Sequence, residues 1–206
     1  MAFRHQLSHG YATVNPGAVW NLAQDALPGR PTGVQHLLED LKWSVMFYLD
    51  LFRALDHHRV KYALIGGLAV ALHGVERNTM DIDISVVMSP ENLQHLIAAA
   101  RALELTPMLP VPLETLADLD TLKQWHSQRN LQAFALRSNA LAGVTLDVLL
   151  FPPVDAGALC ERALRLDVTG VPVRLASVQD LIALKAAVGR PIDLADIEHL
   201  KRLPSA

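Results

Sequence analysis

Residues 64–84, L-I-G-G-L-A-V-A-L-H-G-V-E-R-N-T-M-D-I-D-I, restrict the chain to a strand–turn–helix–strand unit. Lys61–Ile65 is an apolar run of strand length, and Gly66-Gly67 turns it into a helix over Leu68–His73 that Gly74 closes. A second strand follows and carries Asp81 and Asp83. Side chains alternate along a strand, so these two carboxylates share one side while Ile82 and Ile84 take the other. They stand only about 7 Å apart along the strand and repel each other in water. A hard divalent cation explains such a pair most simply; Mg²⁺ takes a few carboxylates and completes its shell with water and phosphate oxygens. The glycines let backbone approach a ligand closely, and a helix N-terminus offers N–H groups to an anion.

Other polar residues interrupt apolar surroundings. In the strand expected over Gly143–Phe151, V-T-L-D-V-L-L-F places Asp147 inside a run of large apolar residues. A carboxylate there needs a partner, either a metal or an Arg or Lys across the sheet. Arg77, just ahead of the acidic strand, could grip a phosphate, neutralise the carboxylates or form a plain salt bridge to Asp81 or Asp83. Thr79 reads as a strand-entry or hydrogen-bonding position. Lys185 lies on an otherwise apolar helix, so its ammonium should reach a polar cleft. Arg190, Asp193 and Asp196 read as a helix–helix junction, with Pro191 opening the second helix and Asp193 either a cap or a site residue. His73, in the last turn of the helix over Leu68–His73, could contact a phosphate or interact with the helix C-terminus. Cys160, among Ala and Leu, is expected to be inert filling.

The G-G pair, thirteen intervening residues and D-I-D with apolar flanks resemble the signature of the DNA polymerase β-type nucleotidyltransferases. The finer form R-N-T-M-D-I-D, with K-x4-R-x2-D-x2-D-I near the C-terminus, resembles the AbiEii/AbiGii toxin-like and minimal nucleotidyltransferases. The resemblance implies an α+β nucleotidyltransferase fold, a mixed β-sheet flanked by helices. It implies that Asp81, Asp83 and Asp147 are catalytic and hold Mg²⁺ (or Mn²⁺). Gly66, Gly67, Arg77, Thr79 and Lys185 would then meet the triphosphate of an NTP substrate. The reaction would move a nucleoside monophosphate to a hydroxyl of tRNA, a protein or a small molecule such as an aminoglycoside, and release pyrophosphate. A toxin–antitoxin or phage-defence setting goes with it. The alternative is a non-catalytic nucleotide-binding antitoxin or regulatory module on the same fold.

Along the chain, residues 1–59 are expected to form an amino-terminal arm and a long amphipathic helix from Val34 to His58. Residues 60–176 form the core, and 177–206 a helical segment packed on it. Ser89 with Pro90, and Ser177, open helices. Val111–Gln128 reads as either a helix or a loop, and Leu164–Leu175 as a hairpin turning at Gly170. With 51% hydrophobic residues and a mean hydropathy of +0.23, the 206-residue chain is apolar for a soluble monomer. That excess suits a homodimer or a cognate protein partner, or else a dense core. A net charge of −3 excludes a global nucleic-acid footprint. No apolar run reaches the roughly 18 residues of a membrane span. The first ten residues lack the apolar core of a signal peptide, and a single cysteine fits a reducing compartment, so a cytoplasmic protein is expected.

Overall fold

The computed structural model describes residues 46–77, 79, 81–138 and 144–203. The arm over 1–33, the first part of the long helix and the turn expected at Asn139 lie outside the described residues. Helix α1 covers residues 46–57 and buries Leu51, Phe52 and Leu55 in the core. Strand β1 (Tyr62–Ile65), helix α2 (Gly66–Leu72) and strand β2 (Ile82–Val86) then realise the unit read from residues 64–84. Helix α3 (Pro90–Ala102) follows, with Ser89 accepting from the Asn92 N–H at 3.3 Å and proline in the first turn.

The ambiguous stretch resolves into a 3₁₀ turn at Leu113–Ala117 and helix α4 (Leu119–Arg129), capped by the Asp118 side chain. Its aromatic residues are used in packing. The Arg129 guanidinium lies over the Trp125 ring, and a ring nitrogen of His126 is 3.0 Å from the Leu131 carbonyl oxygen.

Strands β3 (Leu105–Pro107), β4 (Ala133–Ser138), β5 (Thr145–Leu149), β6 (Leu164–Val168) and β7 (Val171–Leu175) complete a seven-stranded sheet of order β3-β4-β5-β2-β1-β7-β6. The sheet is mixed: β2 runs parallel to β5 and β1 to β7, while the remaining pairs are antiparallel. Helix α5 (Ala156–Arg162) and α2 both pack on β1 and β2, the central strands. The architecture is therefore α+β, a mixed sheet with flanking helices.

The central strands are apolar where they meet the helices. Ile82, Ile84, Leu146 and Val148 are essentially inaccessible, as are Ala63 and Leu64. Tyr62 is buried among them, its oxygen accepting from the Arg174 N–H at 3.4 Å, and burial pushes its phenol up to about 12. Cys160 fills the core edge with its thiol pushed by burial up to about 11, so it is protonated and inert at neutral pH. Helices α6 (Val178–Val188) and α7 (Pro191–Lys201) close the chain, joined at Gly189 and packed on each other. Among the described residues, no helix is long and apolar enough to cross a membrane.

Candidate active site

Strand alternation and register converge at the top of β2. Asp83 lies directly beside Asp147 across the parallel β2–β5 pair, and both sit between fully buried neighbours in sequence. Across the sheet, Asp83 is flanked by Ile65 on β1, and Asp147 by Ala135 on β4. Asp147 therefore has no Arg or Lys opposite it. Its cross-strand neighbour is a second acid. Burial raises Asp83 above the ordinary carboxylate range, the negative charges of Asp147 and Asp81 raise it further, and it reaches about 6. The Lys185 charge and a hydrogen bond from the Gly67 backbone oppose that rise. Asp147 is also raised, by burial first and then by Asp81.

The diglycine turn is shaped by these acids. Gly66 has φ +70°, a left-handed conformation that costs other residues roughly 1–2 kcal/mol. A Cβ there would overlap the Asp83 carboxylate and stand 2.7 Å from Asp83 Cβ. At Gly67 a Cβ would press on Thr79, whose own Cβ lies 3.1 Å from that position. The space left by both glycines is thus taken up by the site's own side chains, where the sequence suggested room for a ligand. Gly66→Ala should cost about 2–4 kcal/mol, combining the backbone conformation with a steric clash. It should also displace Asp83, whose carboxylate occupies the space the new Cβ would need. Urea denaturation of the parent and the variant measures the loss of stability.

Asp81 lies just ahead of β2. Its Oδ1 accepts from the Thr145 hydroxyl at 2.9 Å, and the Thr79 hydroxyl makes a long 3.5 Å contact to its carbonyl. Thr145 is two residues before Asp147 and so shares its side of β5. Helix α1 contributes as well: the Tyr48 phenol is raised by burial and by the charge of Asp81.

The expected cations are arranged differently from the sequence reading. Lys185 is buried, not displayed in a cleft. Its Nζ donates to Asp196 Oδ2 at 2.7 Å and lies 3.4 Å from Asp193 Oδ1. Arg77, expected to face a phosphate or the acidic pair, meets Asp196 at 3.4 Å. Arg190 clamps Asp193 through its Nε at 2.7 Å and its Nη2 at 3.1 Å, while its backbone N–H also donates to Asp193. Burial alone would raise Asp193; hydrogen bonds and charge from Arg190 outweigh it and hold the carboxyl below its ordinary value. The junction read at Arg190, Asp193 and Asp196 is therefore present, with Lys185 and Arg77 drawn into it. His73 ends α2 as expected, and its ring nitrogen lies 2.8 Å from the Ala176 carbonyl oxygen of the β7–α6 connection.

Sequence reasoning missed three contributors. Thr145 could have been found from its two-residue spacing to Asp147. Arg190 reads in the sequence as part of a helix junction, yet its side chain is 67% exposed and its charge interacts with Asp83. Tyr48 had no local signal.

The donor set is oxygen-only and mutually repulsive, which suits Mg²⁺ or Mn²⁺ better than a softer metal. Among the described residues, no three His, Cys, Asp or Glu side chains form a ready-made metal cage. The carboxylates can supply part of a shell, leaving the rest to water and phosphate oxygens.

No family model matches the chain, and no curated protein matches it by sequence. Among solved structures, it is similar to a solution structure of the antibiotic-resistance factor ANT(2'')-Ia, at 17% identity and a TM-score of 0.48. That similarity covers 78% of this chain and 82% of the other. It is also similar to a crystal structure of ANT(2")-Ia in complex with adenylyl-2"-tobramycin, at 16% identity and a TM-score of 0.46, over 77% and 87% of the two chains. At that degree of likeness, the chemistry of this chain rests on its own residues.

Proposed function

We propose that the chain is a metal-dependent nucleotidyltransferase of the DNA polymerase β-type fold. The observation carrying this reading is Asp83 beside Asp147 on adjacent parallel strands, with Asp81 at the strand entry and, among the described residues, no cation at the cross-strand position of either half-buried acid. Asp83 and Asp147, with Asp81, would hold Mg²⁺ or Mn²⁺, which supplies charge neutralisation and lowers the pKa of an attacking hydroxyl. The acceptor oxygen bonds to the α-phosphorus of the NTP, the bond to the pyrophosphate oxygen breaks, and pyrophosphate leaves. Asp147, with its raised proton affinity, is suited to take the hydroxyl proton. Thr145 orients Asp81, and Gly66 leaves the space in which Asp83 sits. Arg190, exposed and within the field of Asp83, is placed to balance triphosphate charge at the rim; Gly66, Gly67, Arg77, Thr79 and Lys185 would act at or behind it.

Each α-³²P-labelled NTP, incubated with Mg²⁺ or Mn²⁺ and with tRNA, lysate protein or an aminoglycoside, tests the proposal. Label transferred to one acceptor class, with pyrophosphate released, is the expected result. Label on tRNA or protein would favour a toxin–antitoxin or phage-defence role, and label on an aminoglycoside a drug-modifying one. Nucleotide binding without transfer to any acceptor would replace the enzyme with a non-catalytic regulatory module.

A further inference from the structure

We propose that β6 is a self-pairing edge, through which two copies of the chain join their sheets antiparallel about a two-fold axis at Leu166. Strand β6 ends the sheet, with β7 as its only strand neighbour among the described residues. It is mostly open: Leu164 is 53% exposed, and Arg165 and Asp167 are exposed.

The backbone fixes which groups face outward. Thr169 and Gly170, both at positive φ, form a two-residue hairpin loop between Val168 and Val171. Opposite Asp167 stands Pro172, which has no N–H, so this pair cannot exchange ladder hydrogen bonds. Antiparallel pairs alternate, which makes Arg165 with Arg174 a non-bonded pair too. The N–H and C=O groups of Arg165 and Asp167 therefore point away from β7, to the open edge.

The sequence of that edge, L-R-L-D-V, is complementary to itself. Antiparallel pairing centred on Leu166 sets Arg165 opposite the partner's Asp167, Asp167 opposite the partner's Arg165, and Leu164 opposite the partner's Val168. The two outward-facing residues are then the ones that exchange backbone hydrogen bonds with the partner, at both pairs. Edge charges ordinarily prevent such pairing, and a row of one sign would do so. Here opposite signs two residues apart attract a second copy. Within the chain, Arg165 lies across from Arg174, a like-charge pair that the partner's Asp167 would relieve.

Sedimentation of the full chain over a concentration series tests the proposal, with circular dichroism confirming that each variant folds. The parent should dimerise. Arg165→Asp and Asp167→Arg should each weaken self-association at least about tenfold, because both symmetric pairs become like-charged. Asp167 also accepts from the Gly170 N–H, so its loss loosens the turn. The decisive arm mixes the two variants: opposite charges return at both pairs, and a heterodimer should form. Leu166→Cys should give a reducible crosslink between copies, since residues facing each other in a non-bonded antiparallel pair have Cα atoms about 4.5 Å apart. A parent that stays monomeric, or a dimer indifferent to both charge changes and lacking the crosslink, overturns the proposal.

Discussion

Asp83→Asn should abolish nucleotidyl transfer, by at least about 10³-fold, while leaving a protein more stable than the parent at pH 7. The two effects have one cause. Asp83 has an ordinary carboxyl value of 3.8 when the chain is unfolded and about 6 when folded, because it is half-buried beside two other acids. Between those values the folded state holds more protons than the unfolded one. Stability therefore falls as pH rises from about 4 to about 6, then stays at the lower level. The full shift corresponds to roughly 3 kcal/mol, and partial exposure reduces it to about 1–2 kcal/mol. Asparagine cannot ionise, yet its amide oxygen can still accept from the Gly67 N–H, so the variant avoids that cost. Urea denaturation of parent and variant at pH 4, 6 and 8 should show curves that nearly coincide at pH 4 and separate above it. Mg²⁺ should stabilise the parent at pH 8, where Asp83 is ionised, and have far less effect at pH 5 or on the variant. A variant less stable than the parent at every pH would make Asp83 a structural residue and remove the basis for the proposed enzyme.

The sequence made the acids legible because strand alternation is a local rule. Asp81, Asp83 and Asp147 announced themselves as charges at fixed parity among Ile, Leu and Val, and the register bringing Asp83 beside Asp147 follows once β2 and β5 are neighbours. Ser89 and Ser177 were legible for the same reason, since a cap is read within three residues. What failed was long-range pairing of cations. Arg77 stood beside the acidic strand in sequence, and proximity suggested Asp81 or Asp83; the folded chain instead brings Asp196 from the last helix to it. Lys185 looked like a lone charge seeking a cleft, because nothing local shows that the turn at Gly189 folds α7 back so that Asp196 reaches it. The diglycine pair reads locally as a strand-to-helix turn at which backbone could approach a ligand. That Asp83 and Thr79 fill the space above it could not be read without tertiary contacts.

Lys185→Met should be the most destabilising single change in the helical segment, by about 3–5 kcal/mol. Methionine matches the stem in length, so packing is largely kept and the loss is electrostatic. Lys185 is 7% exposed and sits between Asp193 and Asp196, themselves 1% and 2% exposed. Its removal leaves Asp196 with Arg77 at 3.4 Å and Asp193 with Arg190, so neither acid is wholly abandoned, which favours the lower end of that range. Adding Asp196→Asn should recover about 1–3 kcal/mol, because it removes one of the two buried negative charges that Lys185 had balanced while keeping the side chain's shape. Denaturant midpoints for the parent, both single variants and the double variant complete that cycle. Transfer kinetics separate a structural role from a direct one. Since the Lys185 charge holds Asp83 down, its loss should move the acid limb of the pH–rate profile to higher pH, with KM for the NTP nearly unchanged. If Lys185 gripped the triphosphate itself, KM would rise sharply and the asparagine at 196 would restore none of it.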